Sequence, residues 1–247
     1  MNWSWNGLTV WHYLTPLFWL GLTLAVYALS EQIFRRSRGL AWAQSLLHPV
    51  LLAVLLLIAI LQYGGVSYSQ YFAGAYPLHL LLGPATVALA VPLYANLPHI
   101  RRYFAPLLIA LLVGSLVGIL SGMLIAYALG LSPQMIVSIA PKSVTTPIAI
   151  ALAQHAGGNV SLAAGFVILT GICGAVLAAP LFRLLRIDDE IAQGFAMGVA
   201  AHGVGTSRAL QMSEITGAFA ALAMGLNGVL TSLILSLVLS GYFYWLP

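Results

Sequence analysis

Long apolar runs are the feature that most constrains how this chain can fold. Residues 14–34, 46–63 and 106–129 are each apolar over roughly the 20 residues that a helix needs to cross about 30 Å of hydrocarbon. Only 6% of the 247 residues are charged, whereas soluble domains carry about 25%. The runs therefore predict an all-α polytopic membrane protein embedded in a lipid bilayer, and they exclude a soluble domain.

Other features of the composition exclude further classes of protein. The first residues, MNWSWNGL, contain no basic segment and no cleavage site, so we expect no removable signal peptide. The single cysteine, Cys173, cannot form an intrachain disulfide, and we expect no metal site and no cofactor because the histidines lack zinc-helix spacing. The net charge of +4 comes from nine cations scattered among the apolar runs, which predicts no nucleic-acid partner.

The positions of the arginines predict the membrane topology. Seven of the nine cations lie at the ends of apolar runs: Arg35, Arg36, Arg38, Arg101, Arg102, Arg183 and Arg186. Because cytoplasmic segments carry an excess of arginine and lysine, these residues place the N-terminus outside. The runs then cross alternately inward and outward, in the order 14–34, 42–63, 68–97, 106–129 and 162–185. We expect about 6–8 membrane segments in all.

One segment between these runs cannot be a simple crossing. The run before it ends outside and the run after it begins outside, so residues 132–158 must return to the side from which they enter. Pro141 and Pro147 interrupt the helical pattern of this segment. We therefore predict a re-entrant hairpin at 132–158, with its irregular backbone against protein or a water-filled cavity.

The order of apolar span, interrupted segment and glycine-rich span occurs twice in what we treat as a single membrane domain, residues 1–247. The copies, 42–130 and 161–245, run in opposite directions if residues 190–212 cross the membrane, so we predict an inverted repeat. Such repeats place broken helices at the bilayer midplane, where the N-termini of half-helices face an anionic substrate. If 190–212 re-enters instead, the last span reverses, and the sequence leaves both possibilities open.

Two cations do not follow the pattern of the other seven. Lys142 is the only lysine of the chain, and Arg208 follows a glycine-rich break. Both lie beside hydroxyl side chains, and we predict that they face one cavity. Such a pocket is rich in donors and poor in acceptors, which favours a small carboxylate. The candidate substrate-binding residues are Lys142, Ser143, Thr145, Thr146, His202, Gly203, Gly205, Thr206, Ser207, Arg208 and Asn227.

Each of these candidates also has a structural interpretation. Lys142 can reach the headgroups from a shallow loop, and Arg208 can be a cytoplasmic anchor. His202 can be a packing residue rather than a group that titrates during transport. Asn227 can form hydrogen bonds between helices. Close helix packing is also the ordinary role of the glycine face formed by Gly114, Gly118 and Gly122.

Four motifs resemble the LrgB/CidB family. They are "LLGPATVALAVPLY", "APKSVTTPIA", "AAHGVGTSRAL" and "AFAALAMGLNGVLTSL", and the resemblance covers nearly the whole chain apart from residues 1–13. It implies a multi-pass protein of the bacterial inner membrane. It also implies a separate LrgA/CidA-like membrane subunit and a homo- or hetero-oligomer.

The resemblance implies two alternative functions. Some family members, including a plastid member, look like carriers of small monocarboxylates such as glycolate, glycerate or pyruvate. Others are described as holin-like or antiholin-like proteins that control murein hydrolase export and cell lysis. The paired breaks with cations and hydroxyls favour a carrier, which holds one anion at a time. We do not expect an enzyme, because no G-x-S-x-G elbow or intramembrane pair of acids is present. The sequence does not reveal the acid, the coupling ion or the subunit count.

Overall fold

The computed structural model describes residues 7–37, 49–81, 84, 87–88 and 90–245, and every regular element in these ranges is a helix. The chain divides into two compact units, Met1–Ala88 and Leu89–Pro247. The first unit contains α1 (Gly7–Arg36), α2 (Pro49–Tyr63) and α3 (Tyr68–Leu80). The second contains α4 (Ala90–Ala95), α5 (Leu97–Arg102), α6 (Phe104–Ala128), α7 (Pro133–Ile139), α8 (Thr146–His155), α9 (Val160–Leu185), α10 (Glu190–Met212) and α11 (Glu214–Trp245).

In the first unit, α1 packs against both α2 and α3. A capping box of Ser67 and Gln70 begins α3 by satisfying backbone N–H groups that have no partner within the helix. Thr23 Oγ1 lies 3.0 Å from the Tyr71 hydroxyl, which links α1 to α3. The small size of Gly74 allows this approach, since a Cβ built there would lie 2.8 Å from Trp19 Cδ1.

Four described helices are long and apolar enough to cross a membrane, and they are Pro16–Arg36, Phe104–Ala128, Val160–Leu185 and Glu214–Ser240. Pro49–Tyr63 is apolar but shorter. The predicted span at 68–97 is not one helix, because α3 ends at Leu80 and α4 begins at Ala90. This stretch contains Pro77, Pro84 and Pro92, which lack the N–H that a continuous helix needs. The described spans are thus fewer than the 6–8 segments predicted.

The chain between α6 and α9 forms a helical hairpin, here called the first hairpin. Its arms are α7 and α8, joined by a turn at residues 140–145. Ser138 Oγ accepts a hydrogen bond of 2.7 Å from Asn159 N, which ties the end of α7 to the start of α9. Because the hairpin joins α6 to α9 at one end, these two long helices run in opposite directions.

Prolines set the boundaries of the first hairpin. Pro133 begins α7, Pro141 lies in the turn, and Pro147 lies in the first turn of α8. At these positions the missing N–H removes no hydrogen bond from a helix interior. Both arms are too short to span about 30 Å of hydrocarbon. This is the form expected of a re-entrant segment at 132–158, whose place in a bilayer stays a prediction.

Helix α10 reverses direction at His202 and forms the second hairpin. His202 has φ 41° and ψ −131°, a conformation outside the helical region. A Cβ built on Gly205 would lie 2.6 Å from Met197 O. Residues eight apart in a continuous helix are separated by about 12 Å. The contact therefore shows that the arm after His202 folds back on the arm before it.

The second hairpin begins and ends at the same end of α9. Ile187 and Met212, which flank α10, both pack against the cluster that contains Phe182 in the last turn of α9. Segment 190–212 therefore doubles back, and α11 runs opposite to α9. The predicted inverse pairing of residues 42–130 and 161–245 requires 190–212 to run in one direction, so it is not supported. Part of the first copy also lies outside the described residues.

Candidate functional site

A cavity of about 640 Å³ lies between α6, the tip of the first hairpin and the first arm of the second hairpin. Tyr103 and Asp189 line one end, next to the arginines that predict the cytoplasmic side. Lys142 and Ser143 line the other end. Most of the lining between these ends is apolar, with Thr170 as a further hydroxyl. We call this space the Lys142 cavity.

Lys142 is held at the end of this cavity by the backbone of α6. Its Nζ donates a hydrogen bond of 2.6 Å to Gly118 O. Among the residues that the structure describes, no carboxylate forms an ion pair with Lys142. An ammonium group has three donors, and burying its charge without an anion is unfavourable. The chemistry of this end of the cavity therefore favours an anion with acceptor oxygens.

The glycine face of α6 receives the tips of both hairpins. Cβ atoms built on Gly122 and Gly118 would lie 3.2 Å from Lys142 Cε and 3.4 Å from Ser143 Oγ. A Cβ built on Gly114 would lie 3.0 Å from Val199 Cγ1. The sequence predicted that these glycines serve close helix packing. The structure shows that they accommodate Lys142, Ser143 and Val199.

His202 lies at the tip of the second hairpin and is 5% exposed. Its Nε2 is 2.9 Å from Val167 O on α9. Since a carbonyl can only accept, this contact requires the proton on Nε2. The imidazole also packs on α9, because a Cβ built on Gly171 would lie 2.7 Å from His202 Cε1. His202 thus contacts α9 and is not among the residues that line the Lys142 cavity.

Asn227 connects both hairpins to the long helices, and its side chain is almost fully buried. Its Nδ2 donates to Ser143 O and to Val199 O, both at 3.1 Å. Its Oδ1 accepts from Ser115 Oγ at 2.5 Å and from Thr231 Oγ1 at 3.3 Å. These four bonds use the two donors and two lone pairs of the amide. The geometry agrees with hydrogen bonding between helices rather than with contact to a ligand.

The structure does not bring Arg208 and Lys142 together. Arg208 is half-buried and donates from Nη1 to Gln211 Oε1 at 3.2 Å. Its neighbour Ala209 packs in one cluster with Phe182, whereas Val144, beside the hairpin tip, packs with Val167. Those two levels of α9 are 15 residues apart, which is about 22 Å of helix rise. The predicted shared cavity is therefore wrong in this state, because α10 reverses at His202 and carries Arg208 back to the end that the arginines predict to be cytoplasmic.

The other candidates lie at different points of the two hairpins. Thr145 and Thr146 are half-buried at the start of α8. Thr206 is buried and donates to His202 O at 2.8 Å, which stabilises the reversal. The remaining members of the second hairpin differ in exposure, with Gly203 exposed, Gly205 buried and Ser207 half-buried. Of the predicted residues, Lys142 and Ser143 line the cavity.

Several residues that line the cavity were not among the predicted site residues. Thr170 lies in an apolar span, and Tyr103 and Asp189 lie at helix starts. No local pattern distinguishes them, since each has an ordinary role in its own segment. Asp189, for example, caps α10 by accepting from Ala192 N at 2.8 Å. The four-residue spacing of the α6 glycines is visible in the sequence. The residues that pack against these glycines are known only from the structure.

Comparison with known proteins identifies the family. A family model described as the LrgB-like family matches residues 23–240. The chain belongs to this family. Together with its four long apolar helices, membership identifies the chain as a multi-pass membrane protein. The match includes both hairpins and the Lys142 cavity, so these features lie in the part of the chain that defines the family.

Relatives in two bacilli cover most of this chain. It is 37% identical over 212 residues to the uncharacterized protein YwbG of Bacillus subtilis (strain 168), a match covering 86% of this chain and 92% of YwbG. YxaC of the same strain is 38% identical over 211 residues, or 85% of this chain and 90% of YxaC. The antiholin-like protein LrgB of Bacillus cereus (strain B4264) is 29% identical over 222 residues, covering 90% of this chain and 95% of that protein. No solved structure matches the chain.

The packing of Lys142 on the glycine face of α6 can be tested by adding a side chain at Gly122. Gly122→Val adds a branched side chain where Lys142 Cε lies. Overpacking costs about 1–3 kcal/mol, so we expect Gly122→Val to destabilise the detergent-solubilised protein by that amount, measured by unfolding. Gly225→Val is the matched control, because nothing lies within 4 Å of a Cβ built there. An equal loss of stability in both variants would argue against a specific role for this packing.

Proposed function

We propose that this protein carries small monocarboxylates, such as glycolate, glycerate or pyruvate, across the bacterial inner membrane. The observation that carries the proposal is the position of the only lysine of the chain. Lys142 lines one end of a largely apolar cavity and forms no ion pair with a described carboxylate. A substrate carboxylate would supply the missing negative charge.

The lining of the cavity favours a short acid with one charge. One cation, Lys142, faces the cavity at its inner end, and Ser143 and Thr170 offer hydroxyls that suit a hydroxy- or keto-acid. The apolar residues between α6 and α10 would contact the carbon skeleton. A second carboxylate would find no counter-charge among the described lining residues. We therefore favour monocarboxylates over dicarboxylates.

Transport, rather than catalysis, accounts for these features. The candidate residues bind and release an anion and include no paired nucleophile and base. We also propose that the protein works with an LrgA/CidA-like membrane subunit in a homo- or hetero-oligomer. The name of the Bacillus cereus relative, antiholin-like, is consistent with such a partnership.

A second candidate function is supported by the same relative. An antiholin-like protein would regulate a membrane pore that controls murein hydrolase export and cell lysis. The Lys142 cavity has no evident role in that function, because a pore regulator does not need to hold a single anion. For this reason we place the carrier first.

Uptake by purified protein in liposomes separates the two functions. The protein is reconstituted alone and with its LrgA-like subunit, and entry of labelled glycolate and pyruvate is measured at increasing concentration. We expect saturable uptake that unlabelled monocarboxylates inhibit and dicarboxylates inhibit weakly. Liposomes preloaded with a large fluorescent anion should retain it. Release of that anion without saturable uptake would contradict the carrier and favour the pore.

A further inference from the structure

We infer that residues 104–155 and 160–212 form an inverted repeat, and that the protein has a second, outward-open state with a cavity between α7 and α9. In that state His202 would lie at the end of the cavity, as Lys142 does in the state described above. The inference extends the proposed carrier function, and the labelling experiment below tests it without any transported substrate.

The tips of the two hairpins make the same pair of contacts with the preceding long helix. Lys142 Nζ donates to Gly118 O, and its side chain packs on Gly122, four residues later. His202 Nε2 donates to Val167 O, and its side chain packs on Gly171, again four residues later. Each half therefore consists of a long helix, a hairpin, and a tip cation or imidazole bonded to the backbone of that helix.

The four-residue spacing has a physical reason. In an α-helix the carbonyl of residue i accepts from the N–H of residue i+4. A side chain at i+4 lies beside that carbonyl and blocks access to it. A glycine at i+4 leaves the second lone pair of the carbonyl oxygen open to another donor. Gly122 does this for Gly118 O, and Gly171 does it for Val167 O. At both sites, a glycine four residues after a helix carbonyl allows that carbonyl to bind the side chain at a hairpin tip.

The two halves are oriented in opposite directions and meet near Val167. α6 and α9 run antiparallel, and each hairpin enters from the end where its own long helix stops. Val144, beside the first tip, packs against Val167, whose carbonyl binds His202 of the second tip. Repeats related in this way allow a carrier to exchange the roles of its two halves and so open to either side.

The Lys142 cavity lies between α6 and the first arm of the second hairpin. In the repeat, the equivalent region of the other half lies between α9 and α7, the first arm of the first hairpin, and it is packed closed. Ser138 of α7 accepts from Asn159 N at the start of α9 and is 0% exposed, as are Ala163 and Val167 of α9. Exchange of the two conformations would separate α7 from α9 and expose these residues to the outside.

The test is labelling of single cysteines with a membrane-impermeant maleimide, applied to either side of sealed membrane vesicles. Cys173 is replaced by serine to remove the native thiol. Ala163→Cys reports the outward cavity, and Ala110→Cys, which lines the Lys142 cavity, reports the inward one. Ala220→Cys is the control, since Ala220 is also 0% exposed but packs in the cluster at the cytoplasmic end.

We expect Ala163→Cys to react from the outside and Ala110→Cys from the cytoplasmic side, each at least about tenfold faster than Ala220→Cys from the same side. Ser138→Cys, on α7 at the opposite wall of the closed interface, provides a second reporter if Ala163→Cys does not fold. The inference is overturned if neither outward reporter reacts from outside while Ala110→Cys reacts from inside. That result would leave the proposed binding of an acid at Lys142 intact, whereas failure of uptake with normal labelling would contradict the carrier function alone.

Discussion

Replacement of Lys142 by methionine is expected to weaken saturable uptake of glycolate and pyruvate into liposomes more than about tenfold. Methionine keeps most of the length and apolar volume of lysine but has no charge and no N–H donor. A hydrogen bond to a charged group contributes about 1.5–3 kcal/mol, so we expect the apparent affinity to fall at least roughly 10- to 150-fold. The measurement is initial uptake rate against acid concentration.

The matched control for this variant is Arg208→Gln. Arg208 was predicted to lie in the same pocket, whereas in the structure its neighbour Ala209 packs in the cluster that contains Phe182, at the end predicted to be cytoplasmic. We therefore expect Arg208→Gln to keep a KM within about threefold of the unmodified protein, since a residue that does not touch the substrate loses no binding interaction. If the two variants lost affinity equally, the separate placement of these cations would be wrong for the transporting protein.

Replacement of Asn227 by leucine is expected to cause the largest loss of stability. The change leaves Ser143 O, Val199 O and the Ser115 hydroxyl without their buried partner. Hydrogen bonds between membrane helices contribute about 0.6 to 1.7 kcal/mol each, and three are lost, besides the bond from Thr231 within α11. We expect destabilisation of roughly 2–4 kcal/mol, measured by unfolding of the detergent-solubilised protein.

Ser232→Ala serves as the control on the same helix. Ser232 Oγ donates to Gly228 O within α11 at 2.7 Å, so its loss breaks no contact between helices. We expect a change below about 0.5 kcal/mol. If Asn227→Leu were as stable as Ser232→Ala, the hydrogen bonds that join the two hairpins would not hold them in place.

Spacing along the chain predicted the long helices and the first hairpin well. The apolar runs at 106–129 and 162–185 correspond to α6 and α9 within a few residues, because a bilayer requires a span of nearly fixed length. Pro141 and Pro147 marked the turn and the start of α8, since proline lacks the N–H of a helix interior. Both features depend only on residues close together in the chain, so they can be predicted from the sequence.

The second hairpin shows where local pattern was insufficient. Gly203 and Gly205 marked a break, but a break is compatible with a kinked crossing or with a full reversal. The choice is made by contacts between distant residues, such as Gly205 against Met197 O and His202 against Val167 O. The reversal then moves Arg208 away from Lys142, which is why the predicted cavity with two cations did not form.

The amino-acid sequence alone determined that this chain is a helical membrane protein, where its helices are interrupted, and that Lys142 is an unusual cation within it. Only the tertiary structure decided which backbone each hairpin tip contacts. Hydrophobicity and proline act over a few neighbouring residues, so they can be read along the chain. The partner of Lys142, however, is a carbonyl 24 residues away that is accessible because Gly122 has no side chain, and that approach exists only once the helices have packed.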